Sequence, residues 1–176
     1  MQISTEPTGL RERKRRRTRR TIARVALELF DRQGFHETTI PQIAEAADVS
    51  PRTVSAYFPR KEDLAFPDAE EELRAFDARL RERRPGESAT EALRDFIRSS
   101  LEQDDQHAAE RRVRRRVILA DEGLRAHGHH HKLRGQELIA GAIAHDLGVP
   151  ADDLEPRMAA AATLTVFELQ IGRAHV

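Results

Sequence analysis

A run of basic side chains near the amino terminus has the clearest chemical capacity in the sequence. Eight of the ten residues from 11 to 20 are Arg or Lys, opposed by Glu12 alone. Guanidinium and ammonium groups at this density attract polyanions such as a nucleic-acid backbone. The alternative is a solvated charge run without a partner. Residues 1–64 carry a formal +4 and the other 112 residues −4, which is the asymmetry expected when one end of a protein meets a polyanion, and both interpretations stay open on the charge alone.

A second group of polar residues lies between 39 and 61, next to signals that begin short helices. Thr39 can cap a helix, and Gln42, three residues later, can complete a capping box. Ser50 and Pro51 favour another helix start, since Ser suits the N-cap and Pro the first turn. The sequence therefore predicts two short helices joined by a tight turn, the second about two and a half turns long.

A longer helix before this pair can support it. Five apolar residues recur at helical spacing over 22–30 and form one stripe, and Gly34 ends the helix. Three helices in this order are typical of a helix-turn-helix unit, whose last helix enters the major groove of DNA. On that helix we expect Val49, Val54 and Phe58 to face the core. The residues left for solvent or DNA are Arg52, Thr53, Ser55, Ala56 and Tyr57.

The remaining segments also favour helices, separated by Pro and Gly. We predict an all-α fold, with a three-helix helix-turn-helix domain followed by a helical bundle. A helix over about 61–84 should be interrupted at Pro67. The predicted divisions are a basic arm that is disordered without DNA (1–17), a DNA-binding domain (18–65), a helical domain (66–170) and a non-native tail that cuts the last helix short (171–176).

Composition and motifs argue against several classes of protein. The chain has no Cys, which excludes disulfides and thiolate metal sites. No apolar run approaches the ~20 residues that span a bilayer, so we expect a cytoplasmic protein without a membrane partner. We find no nucleophile with a nearby base and no Gly-rich phosphate loop, and we expect neither an enzyme nor a cofactor.

A histidine cluster is the one metal-like feature. It consists of His127, His129, His130 and His131. His-rich tracts can bind Zn, Ni or Cu, but only the first and last of these residues have the i, i+4 spacing of a helical metal site. We favour a solvated turn that enters the next helix, and we expect no metal.

Residues 18–65 resemble the tetracycline-repressor (TetR) family. The motifs that establish the resemblance are Ala26-x-x-Leu29-Phe30, Gly34, Thr38-Thr39, Ile43-Ala44, Val49-Ser50, Thr53, Tyr57-Phe58 and Lys61-Glu62-x-Leu64. Two positions depart from the family pattern. Arg52 stands where the family often has Gly, and Ser55 stands where it often has Tyr, so the operator cannot be transferred from a relative.

The resemblance implies roles for individual residues. Thr39 and Thr53 match family positions that touch phosphates. Tyr57 matches a position that packs against the DNA backbone, and Lys61 matches a residue that clamps a phosphate. Arg52 is the candidate for reading a base, because Arg can bind guanine O6 and N7 bidentately. Weaker candidates for DNA contacts are Gln42, Ser50, Ser55 and Ala56, and the basic arm contributes Arg15, Arg16 and Arg17.

The resemblance also implies the function of the whole chain. A member of this family is a transcriptional regulator, and we expect a repressor that binds a palindromic operator as a homodimer and is released by a small molecule. The second domain then serves dimerisation and ligand binding, with candidate pocket residues Phe96, Ile97, Val117, Leu138 and Phe167. The alternatives are an effector-independent DNA-binding protein or activator, and a helical enzyme whose resemblance is incidental.

Overall fold

The computed structural model describes residues 9–102 and 108–173. Within these ranges every regular element is a helix, which confirms the all-α prediction. The elements are α1 (Leu10–Gln33), α2 (Ile40–Ala46), α3 (Pro51–Tyr57), a 3-10 turn (Glu62–Ala65), α4 (Ala69–Arg81), α5 (Ala89–Glu102), α6 (Ala108–Ala120), α7 (Glu122–Leu147) and α8 (Leu154–Arg173). The interruption predicted at Pro67 is confirmed, because the 3-10 turn ends before it and α4 begins after it.

The first of two compact units contains the three amino-terminal helices, and its amino-terminal part ends at Pro67. In this unit α1 packs on α2 and on the 3-10 turn, and α2 packs on α3. The turn between α2 and α3 places Asp48 at a φ of 53°, a left-handed conformation that Asp tolerates better than most residues. Among the side chains that the first unit buries almost completely are Ile22, Phe30, Ile43, Val54, Phe58 and Leu64.

The first unit also includes the segment Arg116–Leu124, which was predicted to lie in the second domain. Arg116 binds Asp31 of α1 with two hydrogen bonds, at 2.9 and 2.7 Å. Asp121 is buried, and its carboxylate lies 2.9 Å from Nε2 of His36. These contacts join residues about 85 positions apart, so no local pattern could have predicted them.

The second unit has its own core, built mainly from α4, α5 and α7. Phe76 of α4 lies against Phe96 of α5, with ring centroids 5.0 Å apart. Small side chains let the helices approach closely, and Ala92 and Ala160 are fully buried. The buried members of this core are Phe76, Leu80, Ala89, Ala92, Leu93, Ile139, Ala140, Ile143 and Ala160.

Arg79 of α4 forms an ion pair with Glu87, which lies in the segment after this helix. Glu87 bonds to the guanidinium of Arg79 and accepts from the Arg84 N–H at 2.8 Å. The Arg79 guanidinium is the main cause that lowers the pKa of Glu87 from 4.5 to about 2. A carboxylate whose pKa is lowered on folding stabilises the folded state above its unfolded pKa, and this contribution is lost as the pH falls.

We therefore predict that Glu87→Gln reduces the acid sensitivity of the second unit. The unfolding free energy of the wild type should fall between pH 4.5 and pH 2 more steeply than that of the variant. Urea denaturation at several pH values measures the difference. Replacing Glu82, which lies outside this pair, by Gln is the control. Parallel curves for wild type and Glu87→Gln would contradict the prediction.

Candidate nucleic-acid interface

The amino terminus of α2 is capped by the side chains of Thr39 and Gln42. Thr39 Oγ1 accepts from the Gln42 N–H at 3.4 Å, and Gln42 Oε1 accepts from the Thr39 N–H at 2.8 Å. The predicted capping box is thus confirmed. Gln42 Oε1 also accepts from Gln33 Nε2 at 3.3 Å, so this oxygen is already engaged within the protein. Both Thr39 and Gln42 remain exposed to solvent.

The start of α3 is capped by Ser50, as the sequence predicts. Its Oγ accepts from the Thr53 N–H at 3.0 Å and lies 2.8 Å from Thr53 Oγ1. Satisfying an otherwise unpaired N–H in this way stabilises a helix by about 1 kcal/mol. The two hydroxyls lie side by side at the amino end of α3. The amino ends of helices in general are places where phosphate oxygens bind well.

The two faces of α3 differ as expected. Val54 and Phe58 are 0% and 1% exposed, which confirms their predicted place in the core. Val49, predicted to be buried with them, is only half-buried because it lies in the turn before the helix. Of the five candidate DNA-contacting residues on α3, three are exposed, namely Arg52, Ser55 and Ala56. The other two, Thr53 and Tyr57, are half-buried.

Lys61 lies against the loop that follows α1. Its Nζ is 4.4 Å from the ring centroid of Phe35 and donates to the His36 carbonyl at 3.5 Å. Partial burial lowers the pKa of Lys61, and the neighbouring Glu62 carboxylate opposes this shift. A cation on an aromatic face is held by the negative potential of the ring. Lys61 would therefore have to leave Phe35, or bind phosphate from beside it, to act as a clamp.

The basic arm is helical where the structure describes it. Residues 10–17 form the first turns of α1, and residues 1–8 lie outside the described part of the chain. The prediction of a disordered arm is therefore wrong for residues 10–17, because Arg and Lys are good helix formers and Glu12 adds i, i+4 support. Glu12 Oε1 lies 3.4 Å from Arg16 Nε, and its other oxygen lies 4.0 Å from Arg15 Nη1. Arg17 is exposed.

Two residues of the first unit hold the candidate interface in place and were not predicted to do so. The guanidinium of Arg19 donates to the carbonyls of Tyr57 and Pro67. Thr38 is fully buried, and its hydroxyl donates to the Gly34 carbonyl at 2.8 Å. A signal for Arg19 existed, because it precedes Ile22 by three residues and so continues the buried stripe of α1.

The histidine cluster lies within α7, so the prediction of a solvated turn was wrong. His127 and His131 are half-buried on the same side of this helix, with ring centroids 5.0 Å apart. Burial lowers the pKa of His131, and the nearby His127 acts in the same direction. Among the described residues, no three His, Asp or Glu side chains are arranged to hold a metal ion.

The candidate pocket residues do not form one group. Phe96, Ile97 and Leu138 pack around the core of the second unit, while Val117 is buried in the segment assigned to the first unit. The side chain of Phe167 lies outside the described part. A cavity of about 280 Å³ lies between α4 and α7, and another of about 390 Å³ adjoins α5. The first is lined by Leu73, Arg74, Asp77, Arg134, Glu137 and Leu138, and the second by Arg79, Arg84, Asp95, Phe96, Arg98 and Ser99.

Comparison with known proteins identifies the family. Residues 22–66 match the sequence model of the bacterial regulatory proteins of the tetR family, and residues 85–169 match that of the MftR C-terminal domain. The putative mycofactocin biosynthesis transcriptional regulator MftR of Mycobacterium tuberculosis is 30% identical over 152 residues, which cover 84% of this chain and 75% of that protein. The chain belongs to the tetR family.

Other relatives match little more than half of this chain. The HTH-type transcriptional regulator TcmR of Streptomyces glaucescens is 45% identical over 93 residues, 53% of this chain and 41% of that protein. RutR of Escherichia coli, also an HTH-type transcriptional regulator, is 35% identical over 101 residues, which cover 57% of this chain and 48% of that protein. The chain thus spans less than half the length of these two relatives.

Solved structures have the same fold. The SmeT–triclosan complex superposes with a TM-score of 0.57 at 20% identity, over 88% of this chain and 80% of that one. GusR of Salmonella enterica superposes with a TM-score of 0.53 at 25% identity, over 93% of this chain and 82% of that one. A gamma-butyrolactone receptor described as ArpA-like superposes with a TM-score of 0.51 at 25% identity, over 88% of this chain and 78% of that one.

Residues 22–66, which match the tetR-family model, contain α2 and α3, and the curated relatives are named as transcriptional regulators. The enzyme alternative finds no support, since the relatives are named as transcriptional regulators. None of the helices in the described ranges is both long and apolar enough to cross a membrane.

Proposed function

We propose that this tetR-family protein is a repressor that binds a palindromic operator as a homodimer and leaves it when a small molecule binds. It would act in the cytoplasm, where the bacterial chromosome lies. The observation that supports the proposal most is the division of α3 into a buried face, with Val54 and Phe58, and an exposed face that includes Arg52. Such a helix can be held rigidly by the protein while its outer side chains enter the major groove.

The exposed side chains divide into base-reading and phosphate-binding groups. Arg52, on the first turn of α3, would read a guanine. Ser55 and Ala56 follow on the exposed surface, and Ala56 would contact a thymine methyl. The phosphate contacts would come from hydroxyls and cations around α2 and α3, which orient the protein without reading sequence. These are Thr39, Ser50, Thr53, Tyr57 and Lys61, with Gln42 as a further polar contact.

The basic arm would follow the DNA backbone next to the recognition helix. Arg19 contacts the last residue of α3, and the nine residues before it in α1 extend about 14 Å by the rise of an α-helix. The arm is therefore close enough to reach phosphates that flank the bases read by α3. Arg15 and Arg16 share Glu12, so Arg17 is the arm residue we expect to bind phosphate most directly.

We predict opposite effects for two variants of the arm. Arg17→Gln should reduce the slope of log K against log salt by about one, because one phosphate contact is lost. Glu12→Gln should raise DNA affinity, because it frees Arg15 and Arg16 and removes a negative charge. Binding titrations at several salt concentrations measure both, with Glu28→Gln as the control on the same helix. Slopes that stay equal in all variants would contradict a phosphate role for the arm.

Apolar side chains exposed on α8 support the homodimer. Leu154 and Met158 are 72% and 62% exposed, and their i, i+4 spacing places them on one side of the helix. Apolar side chains that lie together on an exposed surface can contribute to contact with another protein. A dimer with two-fold symmetry would place its recognition helices one DNA turn apart, ~34–36 Å, and would select a palindrome.

The effector would bind in the second unit. The gamma-butyrolactone receptor that shares the fold is named for a small ligand. A ligand releases DNA only if it binds the DNA-free conformation more tightly, so the operator must in turn weaken ligand binding. Phe96, Ile97 and Leu138 line the core from which such a pocket would open.

Selection of duplexes from a random pool tests the proposed operator. The proposal predicts a palindromic motif with half-sites one turn apart, and sedimentation of the complex with two chains per duplex. An asymmetric motif bound by one chain would contradict the homodimer. Adding a metabolite library to the bound complex then tests release, which should occur for a narrow chemical class.

The polar lining of the cavity that adjoins α5 supports a second candidate, an effector-independent regulator. This cavity is lined by three Arg, one Asp and one Ser beside Phe96, and ligand pockets are usually mostly apolar. If this candidate holds, no small molecule will change operator affinity, while the selected motif remains.

A further inference from the structure

Arg19 differs from the other basic residues of α1 in the partners of its side chain. Its Nη1 donates to the Tyr57 carbonyl at 2.6 Å, while Nε and Nη2 donate to the Pro67 carbonyl at 3.0 and 2.9 Å. Its guanidinium carbon lies 4.2 Å from the ring centroid of Phe58. The neighbouring Arg17 and Arg20 are exposed, whereas Arg19 is half-buried.

The carbonyl that Arg19 binds is one that the helix cannot satisfy itself. Tyr57 is the last residue of α3, and the final carbonyls of an α-helix lack partners within it. A cation at this end also interacts favourably with the helix dipole. With seven residues, α3 is far shorter than helices that are stable alone, so contacts must hold it in place.

We propose that Arg19 is a positioning residue for DNA binding, which fixes the carboxyl end of α3 and does not itself contact phosphate. The amino end of α3 is capped by Ser50, the buried face is fixed by Val54 and Phe58, and Arg19 supplies the remaining attachment. The same guanidinium fixes Pro67, two residues before α4 begins. This inference rests on the proposed role of α3 as the DNA reader.

Two substitutions separate positioning from direct contact. Arg19→Lys keeps the charge but loses the planar fork that binds two carbonyls, and Arg19→Gln loses the charge as well. Each should weaken binding of the duplex selected from the random pool by about tenfold or more. The slope against salt should not change, because no phosphate contact is lost. Arg17→Gln is the matched control, with a reduced slope.

Amide hydrogen exchange in the free protein gives a second readout. In Arg19→Lys, exchange should accelerate at Phe58, whose N–H bonds to the Val54 carbonyl at 2.9 Å, and stay unchanged at Leu27 in the core of α1. Accelerated exchange with undiminished DNA affinity would overturn the proposal, because α3 would not need this attachment. A loss of affinity with a slope reduced by about one would also overturn it, in favour of a direct phosphate contact.

The wild-type protein provides a test that does not depend on the folding of a variant. The Nε–H signal of Arg19 should be visible and slowly exchanging by NMR without DNA, and should keep its position when the duplex is added. A shift as large as that of Arg17 would overturn the proposal. Failure of the proposed function is distinguishable, because Arg52→Ala would then leave sequence preference unchanged whatever Arg19 does.

Discussion

Replacing Arg52 by Ala is expected to reduce the preference for the selected duplex by about tenfold to one hundredfold, or ~1–3 kcal/mol. Arg52 is exposed on the first turn of α3, and its position on this turn is set by the Ser50 cap and by buried Val54. The loss should be confined to one base pair in each half-site, because a bidentate contact reads one guanine. Binding to duplexes that carry each single-base change measures the effect.

Arg60 provides the control for this prediction. It is an exposed Arg outside α3, so Arg60→Ala should weaken binding to every duplex by a similar factor. If Arg52→Ala weakens all duplexes equally, Arg52 contacts phosphate and does not read a base. If it has no effect on any duplex, α3 is not the reader.

Phe58→Ala should have the largest effect on stability. The ring is 1% exposed and lies between the buried core and the Arg19 guanidinium. Removing a buried Phe costs about 3–5 kcal/mol of unfolding free energy, since it loses the transfer free energy and leaves a cavity. Chemical denaturation followed by a probe in the first unit should show this loss, and DNA binding should fail with it.

Ser55→Ala is the matched control for Phe58→Ala, because Ser55 lies on the exposed face of the same helix. A surface change of this kind should alter the unfolding free energy by less than about 0.5 kcal/mol. A loss below about 1 kcal/mol for Phe58→Ala would contradict the packing described for the first unit.

The sequence predicted α2 and α3 well because the signals for these helices are local. The Thr39–Gln42 capping box and the Ser50–Pro51 start lie within four residues of what they cap, and both are present in the structure. The inward place of Val54 and Phe58 followed from helical periodicity in the same way. Short-range chemistry of this kind needs no knowledge of the rest of the fold.

Features that depend on distant residues could not be predicted. Arg116 contacts Asp31, and Asp121 contacts His36, and these contacts place their segment in the first unit. The two residues of each pair lie too far apart in the sequence for a local pattern to predict the contact. The arm was predicted to be disordered from its charge, but the helix that continues into the buried stripe extends through it. Helix propensity and the Glu12 pairs outweighed repulsion between the arginines.

Two of the candidate DNA contacts have partners within the protein that their spacing did not indicate. Gln42 uses its oxygen to cap α2, and Lys61 lies on the Phe35 ring. Residue type and spacing indicated that both could meet DNA, but the protein supplies competing partners nearby. Whether phosphate displaces these partners depends on the difference in free energy between the contact within the protein and the contact with phosphate. The spacing of residues in the sequence cannot determine this difference.

The ratio of affinities for the selected duplex and for a scrambled duplex of the same composition is the most direct test of α3 as a sequence reader. At physiological salt, competition titrations with the wild-type chain should give a ratio of about 10³ or more, and Arg52→Ala should lower it. Equal affinities for the two duplexes, with Phe58 and Val54 still buried in the folded chain, would contradict the account.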